Sequence, residues 1–336
     1  MVGASGCNDG LKACGPVAIL DRVMKRAVLA LVCVAAGLGI AAGPGTHAPS
    51  RHNAADKSYP WPLKPFDREH PVRGNFDDPR VGFVGDELNS NFHFGIDIAA
   101  ADGTPVYAVA PGIASRHGDY VDVLSSSGRD FGYWHVTPAV RNHRAVKQGD
   151  LLGYVERGWG HVHFAENLNG VYVNPLRRGA LAPYTDTTPP TVEAVTITRA
   201  DKMVDPTKVS GVVDLTCDAY DVPEIDPPWP WQETRVTPAL VRWRIVGADG
   251  EPATRWKTAV DFRSALLPDG LFNLVYARGT KENRSNRPGR YVFYLDEGWS
   301  SAKLRNGSYR LVVGAWDIRG NGGYGTLPFT IANEQR

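Results

Sequence analysis

Apolar and polar residues alternate in short runs along most of this chain, and the runs are separated by turn-forming Gly, Pro, Asn and Asp. In Phe92-His93-Phe94-Gly95-Ile96-Asp97-Ile98 the four apolar side chains fall on one face of a strand, with His93, Gly95 and Asp97 on the other. The same alternation returns in Gly160-His161-Val162-His163-Phe164, where Val162 and Phe164 point inward and His161 and His163 share the opposite face. Gly132-Tyr133-Trp134-His135-Val136 sets a further histidine beside an apolar strand. Between these lie a turn at Asp102-Gly103-Thr104-Pro105, a short strand over 106–110, a hairpin of 120–124 with 131–135 across a Ser-Ser-Ser-Gly turn, and a strand over 151–155. The prolines of Trp61-Pro62-Leu63-Lys64-Pro65-Phe66 exclude a helix there. Residues 209–221, 240–245, 291–295 and 309–316 alternate again, and Asp317-Ile318-Arg319-Gly320-Asn321-Gly322-Gly323 turns into a last strand ending near Ile331. Several short strands at this spacing predict a sandwich. The fold class is therefore all-β: an antiparallel sheet domain followed by a β-sandwich.

Composition adds bounds. A chain of 336 residues, 43% hydrophobic, has enough apolar material for two cores, and the net charge of +1 without a basic-aromatic stripe argues against nucleic acid. Of four cysteines only Cys217 lies in the folded body, so no internal disulfide framework is expected. Residues 1–23 read as an extension ahead of a true start at Met24. Residues 24–48 read as an export signal, with a basic start, an apolar run and small residues up to Ala48. The alternative is an uncleaved membrane anchor. Residues 49–59 read as a linker, 60–184 as the first domain, 185–192 as a Thr/Pro linker and 193–336 as the sandwich.

The chemistry rests on the histidines. An imidazole and a carboxylate on one strand face with a Gly between them leave room for a metal ion, and nitrogen and oxygen donors of this kind suit zinc with three protein ligands. Either fragment alone would equally suit hydrogen-bonded strand histidines; their shared in/out pattern favours the metal. His-x-Gly-Ile-Asp, Tyr-x-His and His-x-His-Phe, in this order over about 73–176, resemble the lysostaphin and LytM-type zinc endopeptidases of bacterial cell walls, peptidase family M23. The resemblance implies that His93, Asp97 and His163 hold one Zn²⁺ and that His135 and His161 are the catalytic histidines. It also implies an open groove in the sheet and a secreted or cell-envelope enzyme acting on peptide cross-links of peptidoglycan. Two departures from the family pattern, Val136-Thr137-Pro138 after His135 and the short 156–160 loop before His161, bear on the shape of the cleft.

The competing expectation is a non-catalytic wall-binding or regulatory protein on the same fold, although such relatives lose ligands and this chain retains the full set. The run Ala-Trp-Asp-x-x-Gly-Asn at 315–321 loosely resembles the closing hairpin of immunoglobulin-like modules, a second domain left to bind wall or protein. Several residues read two ways. Arg73 is either a counter-charge for an acidic substrate group or a solvated edge charge. Tyr133 either faces the groove or packs. The tryptophans of Asp226-Pro227-Pro228-Trp229-Pro230-Trp231 either present aromatics to a partner or half-bury in a loop. His117 and His143 read as surface residues.

Overall fold

The computed structural model describes residues 58–84 and 87–334; the signal, the extension before it and most of the 49–59 linker lie outside them. All but a few short helical turns of the regular structure is antiparallel strand. In the first half the main sheet runs Val72–Gly74, Ile96–Ala99, His161–Leu168, Arg129–Trp134, Tyr120–Leu124, Gly112–Arg116 and Arg144–Val146, with Val171–Val173 pairing His161–Leu168. A three-stranded sheet of Pro105–Tyr107, Leu151–Val155 and Val136–Pro138 accompanies it, and Pro79–Val84 with Glu87–Phe92 forms a separate hairpin.

Alternation fixes the faces. Ile96, Ile98, Val162 and Phe164 are fully buried in one core with Tyr133, Val121 and Trp61. Each such side chain contributes roughly 1.5–3 kcal/mol by leaving water. Tyr133 resolves to the packing side, its hydroxyl accepting from the Val109 amide at 2.9 Å. The run from Phe92 to Ile98 is not one strand: it breaks at His93–Gly95 between Glu87–Phe92 and Ile96–Ala99. Phe94 therefore leaves the core face and packs on His163, Trp134 and Tyr172, while Phe92 packs on Phe272 and Tyr276 of the second half. Tyr59, at the end of the stretch read as a linker, is buried, and its hydroxyl donates to Glu166 at 2.6 Å.

In the second half one sheet runs Lys202–Met203, Thr191–Arg199, Val212–Tyr220 and Val292–Ser300; the other runs Lys257–Asp261, Leu240–Gly247, Gly307–Trp316 and Gly322–Ile331. They pack face to face through side chains such as Trp299 against Phe329 and Phe262 against Phe293. The strands at 191–199 and 257–261 were not read from the sequence. Cys217 is buried with a free thiol, and among the described residues no helix is long and apolar enough to cross a membrane.

The two halves meet over a dense seam. The Thr237 amide donates to Asp78 at 2.8 Å, the Leu267 amide to Asp77 at 3.2 Å, and the Tyr276 hydroxyl to the Asp77 carbonyl at 2.7 Å. Burial drives both carboxyls upward, Asp78 to about 7. The stretch 185–192 is less bare than its composition predicts. Asp186 is buried, and Thr187 donates to Glu224 through both its amide, at 2.8 Å, and its hydroxyl.

Candidate metal centre

The register of the main sheet sets the site. Asp97 stands directly across from His163 in the pairing of Ile96–Ala99 with His161–Leu168, so the outward faces of two neighbouring strands bring a carboxylate and an imidazole together. His93 arrives from the strand break beside them. Its amide donates to the Asp78 carbonyl at 3.0 Å, and its own carbonyl accepts from Asp77 at 2.8 Å. Its Nδ1 lies 2.7 Å from the Asn75 carbonyl, an acceptor, so Nδ1 carries the proton and Nε2 keeps its lone pair.

That Nε2 lies 2.7 Å from His163 Nδ1 and 3.1 Å from Asp97 Oδ1, and His163 Nδ1 is 3.2 Å from the same Oδ1. The three donor groups all fall within 4.8 Å of one another. A tetrahedral zinc with bonds of about 2.0–2.1 Å has donor–donor edges of about 3.3 Å, so the cluster is close to the size the ion requires. Two glycines make the space. A Cβ on Gly95 would lie 2.8 Å from His163 Nε2, and one on Gly74 would lie 2.7 Å from Asp97 Oδ2. His163 Nε2 is buried without a hydrogen-bond partner. The ring is thus held by packing and by what Nδ1 faces, which fits a ligand oriented by an ion.

The charges fit as well. Burial raises the Asp97 carboxyl, but His93, Arg80 and His161 outweigh it and hold it well below the usual range. Burial pushes His93 down, and pushes His163 down to about 3. At neutral pH the cluster offers two neutral imidazoles and one carboxylate, the protonation states that ligation needs.

The other two predicted histidines stand beside it. His161 Nε2 is 3.3 Å from Asp97 Oδ1, and the His135 and His161 rings are 4.8 Å apart. His135 sits at φ 61 between Arg129–Trp134 and Val136–Pro138, a left-handed conformation unusual for a side-chain-bearing residue and costing on the order of 1 kcal/mol or more. Trp159 stacks on its ring at 3.5 Å, its Nδ1 is buried without a partner, and burial with the neighbouring histidines pushes its pKa down to about 4. The Gly158 and Gly160 amides donate to Asp102 at 2.8 and 3.0 Å, which shapes the short 156–160 loop that delivers Trp159.

All five predicted residues line one cleft of about 450 Å³, walled by Phe94, Trp134 and Trp159 and, from the second half, by Trp231. His117 and His143 are exposed and away from it. Four contributors were not read from the sequence as site residues: Asn75, Trp159, Trp231 and Arg80, whose Nη2 pairs with Asp97 Oδ2 at 2.6 Å. Arg80 had no motif to announce it, because its hairpin and not a spacing rule carries it there. Arg73 is neither a solvated edge charge nor free for substrate; it is buried against His161 and Trp159.

Residues 91–175 match the profile of Peptidase family M23. The DD-carboxypeptidase/endopeptidase Mpg of Neisseria meningitidis serogroup B is 35% identical over 94 residues, covering 25% of this chain and 22% of its own, and the Mpg of Neisseria gonorrhoeae matches equally. This chain therefore spans only about a fifth of those relatives' length. Among solved structures, the catalytic domain of the prophage-encoded M23 protein EnpA from Enterococcus faecalis is 29% identical, over 33% of this chain and 92% of that one, with a TM-score of 0.27. The catalytic domain of the antimicrobial peptidase lysostaphin from Staphylococcus simulans is 22% identical, over 28% and 77%, with a TM-score of 0.24.

Proposed function

Taking 91–175 as a domain of peptidase family M23, we propose that this protein is a zinc-dependent endopeptidase of the cell envelope that hydrolyses peptide cross-links of peptidoglycan. The observation that carries the reading is the convergence of His93, Asp97 and His163 within 4.8 Å on the floor of a cleft that also holds His135 and His161. His93 through Nε2, His163 through Nδ1 and Asp97 through Oδ1 would hold the ion. Zinc, when bound, supplies Lewis-acid polarisation of the scissile carbonyl and of a water molecule.

The chain's own residues do the rest. Asn75 holds His93 in the ligating tautomer, and Arg80 holds the far oxygen of Asp97, leaving Oδ1 for the ion. His135 and His161 move or share the protons of hydrolysis, help typically worth a hundred- to ten-thousandfold. Phe94, Trp134 and Trp159 give an extended peptide apolar walls and exclude water from one side of the reaction. We assign 60–184 to the peptidase domain, 185–192 to the connection and 193–336 to a second domain. Its strand order, first-second-fifth against fourth-third-sixth-seventh once the short strand at 202–203 is set aside, supports reading it as an immunoglobulin-like sandwich. The export signal at 24–48 belongs to the same reading.

The test is metal analysis of the purified chain, then incubation with intact peptidoglycan and mass spectrometry of the fragments. About one zinc per chain and newly freed peptide termini are expected. A protein that binds zinc and wall but releases no fragments is the non-catalytic wall-binding protein instead, and full hydrolysis in the presence of a chelator removes zinc from the reading.

A further inference from the structure

Arg73 belongs to the strand Val72–Gly74, next to the strand of Asp97, and its side chain is buried. Its Nη2 lies 2.5 Å from His161 Nδ1 and donates to the Trp159 carbonyl at 3.0 Å. From the other side the ring of Trp231, in the loop 226–235 of the sandwich, lies 4.0 Å from the guanidinium carbon. Burial lowers the Arg73 pKa to about 10, which leaves it charged at neutral pH.

A guanidinium has only N–H donors and no acceptor. At 2.5 Å from Nη2, His161 Nδ1 is therefore the acceptor, and a neutral imidazole that accepts at Nδ1 carries its proton on Nε2. The opposite tautomer has a ready partner too, because the Trp159 carbonyl lies 2.9 Å from the same Nδ1. The two arrangements exclude each other: an Nη2–H and an Nδ1–H cannot both point along one short line. Arg73 selects between them, and the Trp231 ring lies 4.0 Å from the guanidinium that does so. The selected tautomer aims Nε2–H at Asp97 Oδ1, 3.3 Å away on the cleft floor.

We infer that Arg73, pinned by Trp231 of the sandwich, fixes His161 as its Nε2–H tautomer, so that His161 enters the reaction as a hydrogen-bond donor and His135 is left as the proton acceptor. With its proton on Nε2, His161 would be the donor to the oxygen on which negative charge develops as the carbonyl is attacked. His135 carries no such guanidinium on its ring. Arg73 and Trp231 are positioning residues, and the sandwich is part of the active site. What the donor acts on rests on the peptidase reading; the tautomer does not, and the two are tested separately.

The experiment is nitrogen NMR of the full-length chain with ¹⁵N-histidine, metal-free and zinc-loaded, with His161 identified by the signal lost in His161→Gln. In the native chain the ring-nitrogen pattern of His161 should be that of the Nε2–H tautomer. Arg73→Met removes the donor and keeps an apolar stem, so the ring should switch to Nδ1–H on the Trp159 carbonyl. Trp231→Ala should give a mixture, and Trp231→Phe should restore the native pattern. In turnover, Arg73→Met should lower kcat on the order of a hundredfold and Trp231→Ala about tenfold, with zinc content and KM little changed and Trp231→Phe recovering the loss. An Nδ1–H pattern in the native chain overturns the inference without any variant, and so does an Arg73→Met spectrum identical to the native one. If the chain hydrolyses no peptidoglycan while the native Nε2–H pattern and the Arg73→Met switch are both seen, the peptidase reading fails and the tautomer assignment stands.

Discussion

Among the described residues, two clusters of side chains bring three metal-capable donors within 4.8 Å of one another: His93, Asp97 and His163 on the cleft floor, and Asp186, Asp221 and Asp317 where the halves of the chain meet. They differ in where the lone pairs go. In the second cluster the oxygens are spent on turns. Asp317 Oδ1 accepts from the amides of Arg319, Gly320 and Asn321 at 2.8, 2.6 and 2.9 Å, Asp221 from Val222 at 2.9 Å, and Asp186 from the Tyr184 hydroxyl at 3.2 Å. In the first, two imidazole nitrogens face each other at 2.7 Å and share one carboxylate oxygen, so that a single proton on His163 Nδ1 would have to serve both contacts, and it would leave the buried His163 Nε2 without a partner. Proximity of donors is common to both; donor atoms that converge on one another instead of on backbone amides, and that open on a cleft, belong to one. We read the first as built for an ion and the second as the mortar of the seam between the two halves.

The largest effect should come from removing a donor of the first cluster. His163→Ala should abolish stoichiometric zinc and hydrolysis together, whereas Asp221→Asn should leave both intact; loss of zinc in Asp221→Asn, measured by metal analysis, would erase the distinction. Next in size are the histidines that border the ion. His135→Ala and His161→Ala should keep zinc and fold while turnover falls about a hundred- to ten-thousandfold, roughly 3–5 kcal/mol at 1.4 kcal/mol per tenfold. If either loses zinc as His163→Ala does, it is a ligand and the division of labour is wrong. Gly95→Ala should be milder: the new Cβ meets the Phe164 carbonyl first and the His163 ring second, and, with folding checked independently, zinc affinity should drop about ten- to a hundredfold in a competition titration. An unchanged affinity would mean that the glycine is not there for the metal site.

The smallest effect concerns the acidic cluster. Burial first, then the neighbouring carboxylates, push Asp221 up to about 9 and Asp186 to about 7. A carboxyl whose folded pKa exceeds its unfolded value of about 3.9 binds more protons folded than unfolded. Its contribution is full below about pH 4 and is lost as pH rises through the folded pKa. The cluster's share of the unfolding free energy, read in chelator as the difference between the native chain and Asp221→Asn, should therefore fall between about pH 4 and about pH 9. Asp221→Asn, which cannot titrate, should flatten the upper part of that slope. Denaturant titrations of both chains across the range decide it, and a native-minus-variant difference that rises with pH would show the cluster to be stable as anions.

Much of this protein is written in period-two alternation, because a strand's inside and outside are decided residue by residue. That is why Ile96, Ile98, Val162 and Phe164 could be assigned to the core, and His161 and His163 to one face, from their neighbours alone. The same rule failed at Phe94, where the chain leaves the strand to bring His93 in, since alternation holds only while pairing continues. It was silent on Tyr59 and on the strands at 191–199 and 257–261, where composition resembles linker and loop and burial comes from distant partners. The sequence by itself determined the β class, the motif set and the five histidine and aspartate positions as candidates. Only the tertiary structure decided that Asp97 and His163 face each other across two strands, that Arg80 reaches Asp97, and that Trp231, 158 positions from Arg73, lies on its guanidinium. Alternation is a local property of the backbone. Register, hairpin placement and the seam between the two halves depend on pairings far apart in the chain, and no spacing in the sequence records them.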